Sequence, residues 1–220
     1  MIKGGTIVLG GKVTLHMIRA TTATTPYTLE QLFSSDNQLH RLYPLSVQLL
    51  AARHWTPLNI ARMAAHFLAS HTGAKVLDIG SGAGKFCLAG AYYKPNAVFY
   101  GVEQRKHLVD NARTARDMLG LQNVHFLCQN LTQLDFKEYD HFYFYNSFYE
   151  NLADTEKIDD KVICSPHLYN YYTRCLYKKL DEMPAGTRLV TFHTIEDKIP
   201  AGYHLVEEQA GSLLKFWMKL

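Results

Sequence analysis

A glycine-rich segment over residues 76–86 contains the residue types that most directly indicate chemistry. Asp78 precedes three glycines spaced by two, Gly80, Gly82 and Gly84. Because glycine has no Cβ atom and adopts positive φ readily, such a loop lets the backbone approach a bound ligand closely. The apolar run before the loop and the helical spacing after it predict a strand, a tight turn and a helix, the opening unit of a Rossmann-like fold.

Two other nucleotide-binding loops share part of this glycine pattern. A P-loop would need glycine at position 79 and a hydroxyl-bearing residue after Lys85, but the chain has Ile79 and Phe86 there. A dinucleotide fingerprint would need glycine at position 85, which Lys85 occupies. The sequence therefore excludes a P-loop and keeps an NAD-dependent Rossmann oxidoreductase only as an alternative.

The segment from Val76 to Lys85 resembles the first motif of the class I, seven-stranded Rossmann-like methyltransferases, whose cofactor is S-adenosylmethionine. The resemblance implies that Asp78 orients the loop or meets the cofactor's amino group. It also implies that the loop backbone approaches the methionyl part of the cofactor at Gly80, Ser81, Gly82 and Gly84.

Two further segments extend the resemblance over the rest of the cofactor. Glu103, followed by Gln104, ends the second predicted strand, where the family has an acid that accepts hydrogen bonds from both ribose hydroxyls. After the third strand, Asn130 and Leu131 fall where the family contacts the adenine. The amide oxygen of Asn130 suits that contact, and it equally suits the cap of a turn.

Trp55 and Thr56 resemble a segment that, in several class I methyltransferases, lies over the methionine end of the cofactor. Each residue also has a structural interpretation. A tryptophan in a loop before a helix is commonly a packing anchor. Thr56 followed by Pro57 predicts a helix N-cap and a proline at the first helical position.

The end of the fourth predicted strand, residues 145–151, falls at the edge where open parallel sheets bind ligands. Methyl transfer is an in-line displacement from a sulfonium, so the protein chiefly aligns the nucleophile and excludes water. Asn146 is expected to contact the cofactor and to accept a hydrogen bond from a substrate N–H. Phe148 and Tyr149 are candidates for an aromatic wall, or they are core aromatics. Glu150 is the nearest candidate general base, or it is a solvated carboxylate.

The same segment is similar to two methyltransferase families. Amino-methyltransferases acting on nucleobases have Asn or Asp, two prolines and an aromatic residue here; this chain has Asn146 and Phe148 but neither proline. The non-SET histone-lysine methyltransferases have a comparable segment and a similar first motif. Because Asn146 suits an N–H donor, we expect an amine nitrogen as acceptor, on a small molecule or a protein, and the acceptor itself is not identified.

Strand and helix patterns alternate around these residues, which predicts an α/β fold with a parallel sheet. Apolar runs predict strands at 74–79, 97–102, 124–128, 140–145 and 188–193, with helices at 57–73, 86–95, 107–119 and 165–183. Two more strands, 203–208 and 212–218, have too short a connection for a crossover helix and predict an antiparallel hairpin. The family resemblance implies a doubly wound seven-stranded sheet in the order 3-2-1-4-5-7-6.

The N-terminal quarter of the chain is predicted to be a separate part. Residues 1–50 are interpreted as an extension and cap, and residues 51–220 as the methyltransferase domain. Within the extension, residues 28–50 predict two short helices broken near Tyr43 and Pro44. The preceding residues 1–26 predict a floppy or strand-like segment.

Composition limits the partners of the protein. Lys and Arg number 23 against 20 Asp and Glu, a net charge of +3, and no basic run exceeds two residues, so charge does not indicate nucleic acid. Four cysteines without a Cys-x-x-Cys pair and eleven scattered histidines predict no metal and a reducing, cytoplasmic location. The chain has no apolar stretch near the roughly 18–20 residues of a membrane span, so no membrane partner is predicted.

Together these observations predict an S-adenosylmethionine-dependent methyltransferase with an unidentified acceptor. The cofactor half of the site is better indicated than the half that binds the acceptor. A non-catalytic S-adenosylmethionine-binding or scaffold protein is therefore the main alternative. The sequence does not indicate the oligomeric state.

Overall fold

One seven-stranded sheet forms the centre of the residues that this computed structural model describes, which are 27–152, 155, 157–194 and 196–220. Its strands are β1 (Lys75–Ile79), β2 (Val98–Glu103), β3 (Val124–Cys128), β4 (His141–Phe144), β5 (Arg188–Phe192), β6 (Tyr203–Gln209) and β7 (Leu214–Lys219). Their order is β3-β2-β1-β4-β5-β7-β6; the first five are parallel, and β7 is antiparallel to β5 and β6. The predicted fold class, strand order and terminal hairpin are confirmed.

Helices cover both faces of the sheet. They are α1 (Leu29–Leu32), α2 (Asp36–His40), α3 (Leu45–Gln48), α4 (Ala51–His54), α5 (Leu58–Leu68), α6 (Lys85–Tyr93), α7 (Lys106–Leu119) and α8 (Pro166–Asp181). Val76 belongs to a buried cluster with α5, α6 and α7, and its neighbour Leu77 belongs to a second cluster with α8. Adjacent strand residues point to opposite faces, so both faces of the sheet are buried.

The N-terminal part differs from the two short helices expected for residues 28–50. Four short helices, α1 to α4, occupy residues 29–54. Their apolar residues Leu32, Leu39 and Val47 belong to the same buried cluster as α5 and β1. The segment 1–26, for which a floppy or strand-like extension is predicted, lies outside the described residues.

The N-terminus of helix α5 is capped by a side chain of helix α2. The predicted cap by Thr56 is wrong: Pro57 holds the N-cap position, and the Thr56 hydroxyl lies 2.9 Å from the Tyr143 hydroxyl instead. The N–H of Leu58 donates to Asp36 Oδ1 at 3.0 Å. A carboxylate from α2 thus satisfies one of the free N–H groups at the start of α5. The helix ends at Leu68 rather than at Gly73.

The same Asp36 carboxylate forms an ion pair with Lys85, the first residue of α6. Lys85 is only 4% exposed, and its Nζ lies 3.1 Å from His40 Nε2 and 5.7 Å from the centre of the Trp55 ring. Burial lowers the pKa of the Lys85 ammonium, and Asp36 opposes this effect. Because a buried cation without a partner is strongly destabilising, this pair fastens α2 onto the start of α6.

Helix α8 begins as predicted. Ser165 holds the N-cap, its Oγ accepts a hydrogen bond from the N–H of Leu168 at 3.2 Å, and Pro166 follows at the first helical position. Proline fits there because its missing N–H would have had no partner within the helix.

His141, at the start of β4, is buried with both ring nitrogens engaged. Nδ1 accepts a hydrogen bond from the N–H of Arg188 at 3.0 Å, so the ring hydrogen is assigned to Nε2, which lies 2.7 Å from Ser70 Oγ. Burial lowers the pKa of His141 from 6.5 to about 4. The folded protein therefore holds this imidazole neutral.

We expect His141 to make the protein less stable as the pH falls from about 6.5 towards 4, because the unfolded chain gains a proton that the folded chain does not accept. Replacing it in His141→Gln should flatten the pH dependence of the unfolding free energy by up to about 1.4 kcal/mol per pH unit in this range. Urea denaturation at several pH values measures this slope. The exposed His204→Gln serves as control, and parallel curves for His141→Gln and wild type would contradict the assignment.

Candidate active site

A cavity of about 780 Å³ opens at the carboxyl ends of the parallel strands. Because these strands end at one edge of the sheet, residues that follow different strands meet there. Eleven of the residues singled out in the sequence line this cavity: Trp55, Gly80, Gly82, Glu103, Gln104, Asn130, Leu131, Asn146, Phe148, Tyr149 and Glu150.

Three of the four remaining predicted residues lie beside the main cavity. A smaller cavity of about 30 Å³ is lined by Thr56, Asp78 and Ser81, and it shares Trp55 and Gly80 with the main cavity. The Ser81 hydroxyl is buried without a hydrogen-bond partner among the described residues. A Cβ atom on Gly101 would lie 2.6 Å from this hydroxyl, so Ser81 packs against the sheet.

The three glycines of the loop have three different surroundings. A Cβ atom on Gly80 would lie 2.4 Å from the Ser147 side chain, so glycine there lets the loop after β4 approach. A Cβ atom on Gly82 (φ 53°) would meet nothing within 4 Å, so this backbone faces open space and lines the cavity. A Cβ atom on Gly84 would collide with Phe126 at 2.5 Å. Gly84 lines neither cavity. A ligand approach is predicted at this glycine, but its missing Cβ atom instead lets the start of α6 pack closely against Phe126 of β3.

Glu103 fastens the glycine loop to the end of β2. Its carboxylate accepts hydrogen bonds from the N–H of Gly82 at 3.2 Å and from the N–H of Arg105 at 2.9 Å. The side chain is 6% exposed, and burial raises its pKa above the usual value. A carboxylate has about four lone-pair positions, so both oxygens keep room for another donor.

Arg105 is a residue of this site that the sequence analysis did not single out. Its guanidinium donates to both oxygens of Glu150 at 2.9 and 2.7 Å and to Asp159 at 3.1 Å, and it lies 3.7 Å from Glu103. Burial alone would lower the pKa of Arg105, but the hydrogen bonds and charge of Glu150 outweigh it and the pKa is raised. The only sequence signal for this role is a charged residue two positions after Glu103.

Glu150 does not have the surroundings of a general base. The residue is 8% exposed, and both carboxylate oxygens are occupied by the bidentate pair with Arg105. A proton on this carboxylate would break its buried bidentate ion pair with the Arg105 guanidinium, so Glu150 is poorly suited to remove a proton from an acceptor. We therefore reassign Glu150 from candidate base to partner of Arg105.

Asp78 is deeply buried beside the glycine loop. Burial raises the pKa of its carboxyl to about 8, an effect that the Cys87 thiol, 3.6 Å away, partly opposes and the charge of Glu103 reinforces. The carboxyl is mainly protonated at neutral pH. A cationic group arriving next to it would favour the ionised form.

The Asn130 side chain is fully used within the protein. Its amide oxygen accepts from the N–H and the hydroxyl of Thr132, which caps a 3₁₀ turn over residues 131–133. Its amide nitrogen donates to Gln104 at 3.4 Å and to the Tyr172 hydroxyl at 3.0 Å. An amide makes at most four such bonds, so the capping role fits and the expected adenine contact does not.

The loop after β4 presents Asn146 beside the glycine loop. Ser147 Oγ donates to the carbonyl of Ile79 at 2.6 Å, which holds the two loops together. Asn146 has φ 36°, a strained conformation for a residue other than glycine, and its carboxamide has no hydrogen bond to another described residue. Phe148 is buried against the rings of Phe144 and Tyr172, with centroids 5.0 and 5.6 Å away, and its neighbour Tyr149 is 53% exposed.

Two structural findings concern metals and membranes. The described residues contain no group of three or more His, Cys, Asp or Glu side chains that could hold a metal ion. Among the helices of these same residues, none has the length and apolar character needed to cross a bilayer. The absence of a metal stays a prediction.

Comparison with known proteins identifies the kind of domain. Residues 70–168 match a family model described as a methyltransferase domain. Two relatives are both named tRNA (guanine-N(7)-)-methyltransferase: one from Synechococcus sp. (strain JA-3-3Ab) is 54% identical over 55 residues, and one from Nostoc sp. (strain PCC 7120 / SAG 25.82 / UTEX 2576) is 38% identical over 84 residues. These matches cover 25% and 38% of this chain and 23% and 38% of the relatives, so the chain spans less than two-fifths of either relative's length.

Solved structures show the same fold at low identity. TrmN from Thermus thermophilus has a TM-score of 0.53 at 19% identity, over 79% of this chain and 52% of its own. The putative methyltransferase yhhF from Escherichia coli has a TM-score of 0.51 at 13% identity, over 73% of this chain and 84% of its own. At these identities the comparison supports the fold alone.

We expect Glu150→Ala to lower the free energy of unfolding by about 3 kcal/mol, because it leaves the buried Arg105 without its bidentate partner. Chemical denaturation measures this change. The matched control is Glu182→Ala, which removes an acid 52% exposed and 3.9 Å from Lys178, and its effect should stay below about 0.5 kcal/mol. Equal losses in the two variants would show that the Arg105 pair does not stabilise the fold.

Proposed function

We propose that this chain, which belongs to the class I S-adenosylmethionine-dependent methyltransferases, transfers a methyl group from S-adenosylmethionine to a nitrogen nucleophile held at the end of β4. One observation carries the proposal. A single cavity is lined by the open backbone side of Gly82, by Glu103 and by Asn146, whose carboxamide has no hydrogen bond to another residue that the structure describes. Cofactor and acceptor would therefore share one enclosed space.

The residues present fit the cofactor. Gly82 leaves free the space that a side chain would fill, and Glu103 has capacity for two hydroxyl donors on the same side. Glu103 would hold the ribose, the backbone of residues 80–82 would hold the methionyl part, and Asp78 would face its ammonium group. When bound, S-adenosylmethionine supplies a methyl group on a positively charged sulfur, ready for attack by a lone pair.

The protein's own contribution is alignment and exclusion of water. The carboxamide oxygen of Asn146 accepts a hydrogen bond from the acceptor's N–H and so turns the nitrogen lone pair towards the methyl group. Phe148 and Tyr149 form an aromatic side of the cavity near Asn146. Excluding water from this side prevents it from competing as nucleophile. Glu150 takes no part, because its carboxylate is held in a buried bidentate ion pair with Arg105.

A tRNA guanine is a second candidate acceptor, favoured by the names of the relatives that match part of this chain. The N7 atom of guanine has a lone pair and no hydrogen, so its methylation needs no base. The net charge of +3 and the absence of long basic runs do not favour a large polyanion. Methyl transfer to unfractionated tRNA, compared with a mixture of small amines and with a lysine-rich peptide, distinguishes these acceptors.

We expect Glu103→Ala to weaken binding of S-adenosylmethionine and S-adenosylhomocysteine by about 1–3 kcal/mol, because the variant loses a charged group that would accept hydrogen bonds from the ligand. Isothermal titration of both ligands, with NAD as a third, measures this loss. Glu138→Ala removes an exposed acid away from the cavity and should bind as wild type does. Wild-type affinity in Glu103→Ala would show that the ribose lies elsewhere, and NAD binding alone would favour the oxidoreductase alternative.

We expect Asn146→Ala to keep cofactor affinity within about twofold and to reduce methyl transfer by about a hundredfold or more, because the residue acts on the acceptor in the transition state. Transfer of tritium from labelled S-adenosylmethionine to the three acceptor pools measures turnover. Asn96→Ala, which removes an exposed asparagine that does not line the cavity, is the control and should keep wild-type turnover. If wild-type protein binds the cofactor and labels none of the pools, the scaffold alternative gains support.

A further inference from the structure

His193 follows β5 at the position that corresponds to Asn146 after β4. The two strands are parallel neighbours, and their register pairs Phe144 with Thr191. Asn146 and His193 each follow their paired residue by two positions, so both stand just beyond the carboxyl ends of adjacent strands. Both residues line the same cavity, so their side chains face one ligand space.

Both residues adopt a backbone conformation that side chains other than glycine rarely take. Asn146 has φ 36° and His193 has φ 53°. The strain at His193 is maintained because its N–H donates to the carbonyl of Leu213 at 2.9 Å, which ties it to the start of β7. Residues in such conformations are enriched at functional sites. The described part of the chain has four of them other than glycine: Asn146 and His193 line the cavity, and Ala210 and Ser212 lie in the turn between β6 and β7.

The imidazole of His193 is accessible and free to accept a proton. It lines the same cavity as Asn146, and its ring packs against Tyr145 and Phe192 with centroids 5.6 and 4.4 Å away. Among the described residues, no side chain or backbone group forms a hydrogen bond with its ring nitrogens. Partial desolvation lowers the pKa of His193 below 6.5, so the ring is neutral at pH 7.5 and has a lone pair available.

We propose that His193 is the proton acceptor of the reaction and that the acceptor is a nitrogen carrying at least one hydrogen. The inference rests on the function proposed above and narrows its substrate class. The nitrogen lone pair forms the bond to the methyl carbon while the carbon–sulfur bond breaks, and that electron pair stays on sulfur. The N–H proton then passes to the lone pair of His193 and on to solvent. A ring nitrogen without hydrogen would leave His193 unused.

Sinefungin tests this inference without knowledge of the acceptor. In this analogue an amine-bearing carbon replaces the methylsulfonium, so its N–H groups lie where the acceptor nitrogen meets the methyl group. S-Adenosylhomocysteine lacks that amine and reports the rest of the cofactor site. The informative quantity is the ratio of the two dissociation constants, measured by calorimetry at pH 7.5 on the full chain.

We expect wild-type protein to bind sinefungin more tightly than S-adenosylhomocysteine. In His193→Gly, the ratio of the two affinities should fall about tenfold, with affinity for S-adenosylhomocysteine nearly unchanged. Glycine keeps the positive φ, and His193→Phe provides a second variant that keeps the ring but removes the nitrogens. The exposed His204→Ala is the control and should keep the full preference.

The possible failures are distinguishable. If both ligands bind and the preference is unchanged in His193→Gly and His193→Phe, the role of His193 is overturned while the proposed function stands. If wild-type protein binds neither ligand, the proposed function fails and this inference fails with it. Melting curves of the variants show whether a lost preference accompanies a lost fold.

Discussion

The buried guanidinium of Arg105 is the constraint on which the site depends. A cation removed from water must be surrounded by acceptors, and here Glu103, Glu150 and Asp159 provide them from three different parts of the chain. Satisfying one charge therefore fixes the end of β2, the loop after β4 and the segment before α8 relative to one another. The position of Glu103 in turn fixes the glycine loop through the N–H of Gly82. The cavity has its shape because these segments cannot move independently.

The second constraint is the close contact between the loops that follow β1 and β4. Gly80 has no side chain, so Ser147 comes close enough to bond the carbonyl of Ile79. Asn146 is then held in a strained conformation with its carboxamide free. Hydrogen bonds thus hold the loops together, while the side chains of Asn146 and His193, which both line the cavity, form no hydrogen bond to another described residue. Unpaired polar groups in a cavity are available to a ligand.

The helices and strands were accessible from sequence because they rest on local patterns, whereas the order of the strands came from the family resemblance. Apolar runs, the glycine loop and the proline after Ser165 all act over a few residues, and the structure agrees with them. The wrong predictions concern contacts between residues that are distant in the sequence. Asp36 caps α5 in place of Thr56, and Arg105 forms a bidentate ion pair with Glu150. Neither contact corresponds to a periodic pattern in the sequence. His193 was missed because its importance comes from the register between β4 and β5, which only the assembled sheet reveals.

Asp36 contacts both α5 and α6, and this affects where the chain can be divided into an N-terminal cap and a domain. One carboxylate serves both the start of α5 and the buried Lys85 of the glycine-loop helix, although it belongs to residues that the sequence assigns to a preceding cap. A chain beginning at residue 51 would keep every residue of the cavity except Leu50 and still lose this carboxylate. We therefore expect that residues 27–50 cannot be exchanged as a module between relatives unless an acid is supplied at the same place. A boundary at residue 50 therefore separates nearly all of the residues that line the cavity from the N-terminal helices, but it cuts through the contacts of Asp36 that hold the two parts together.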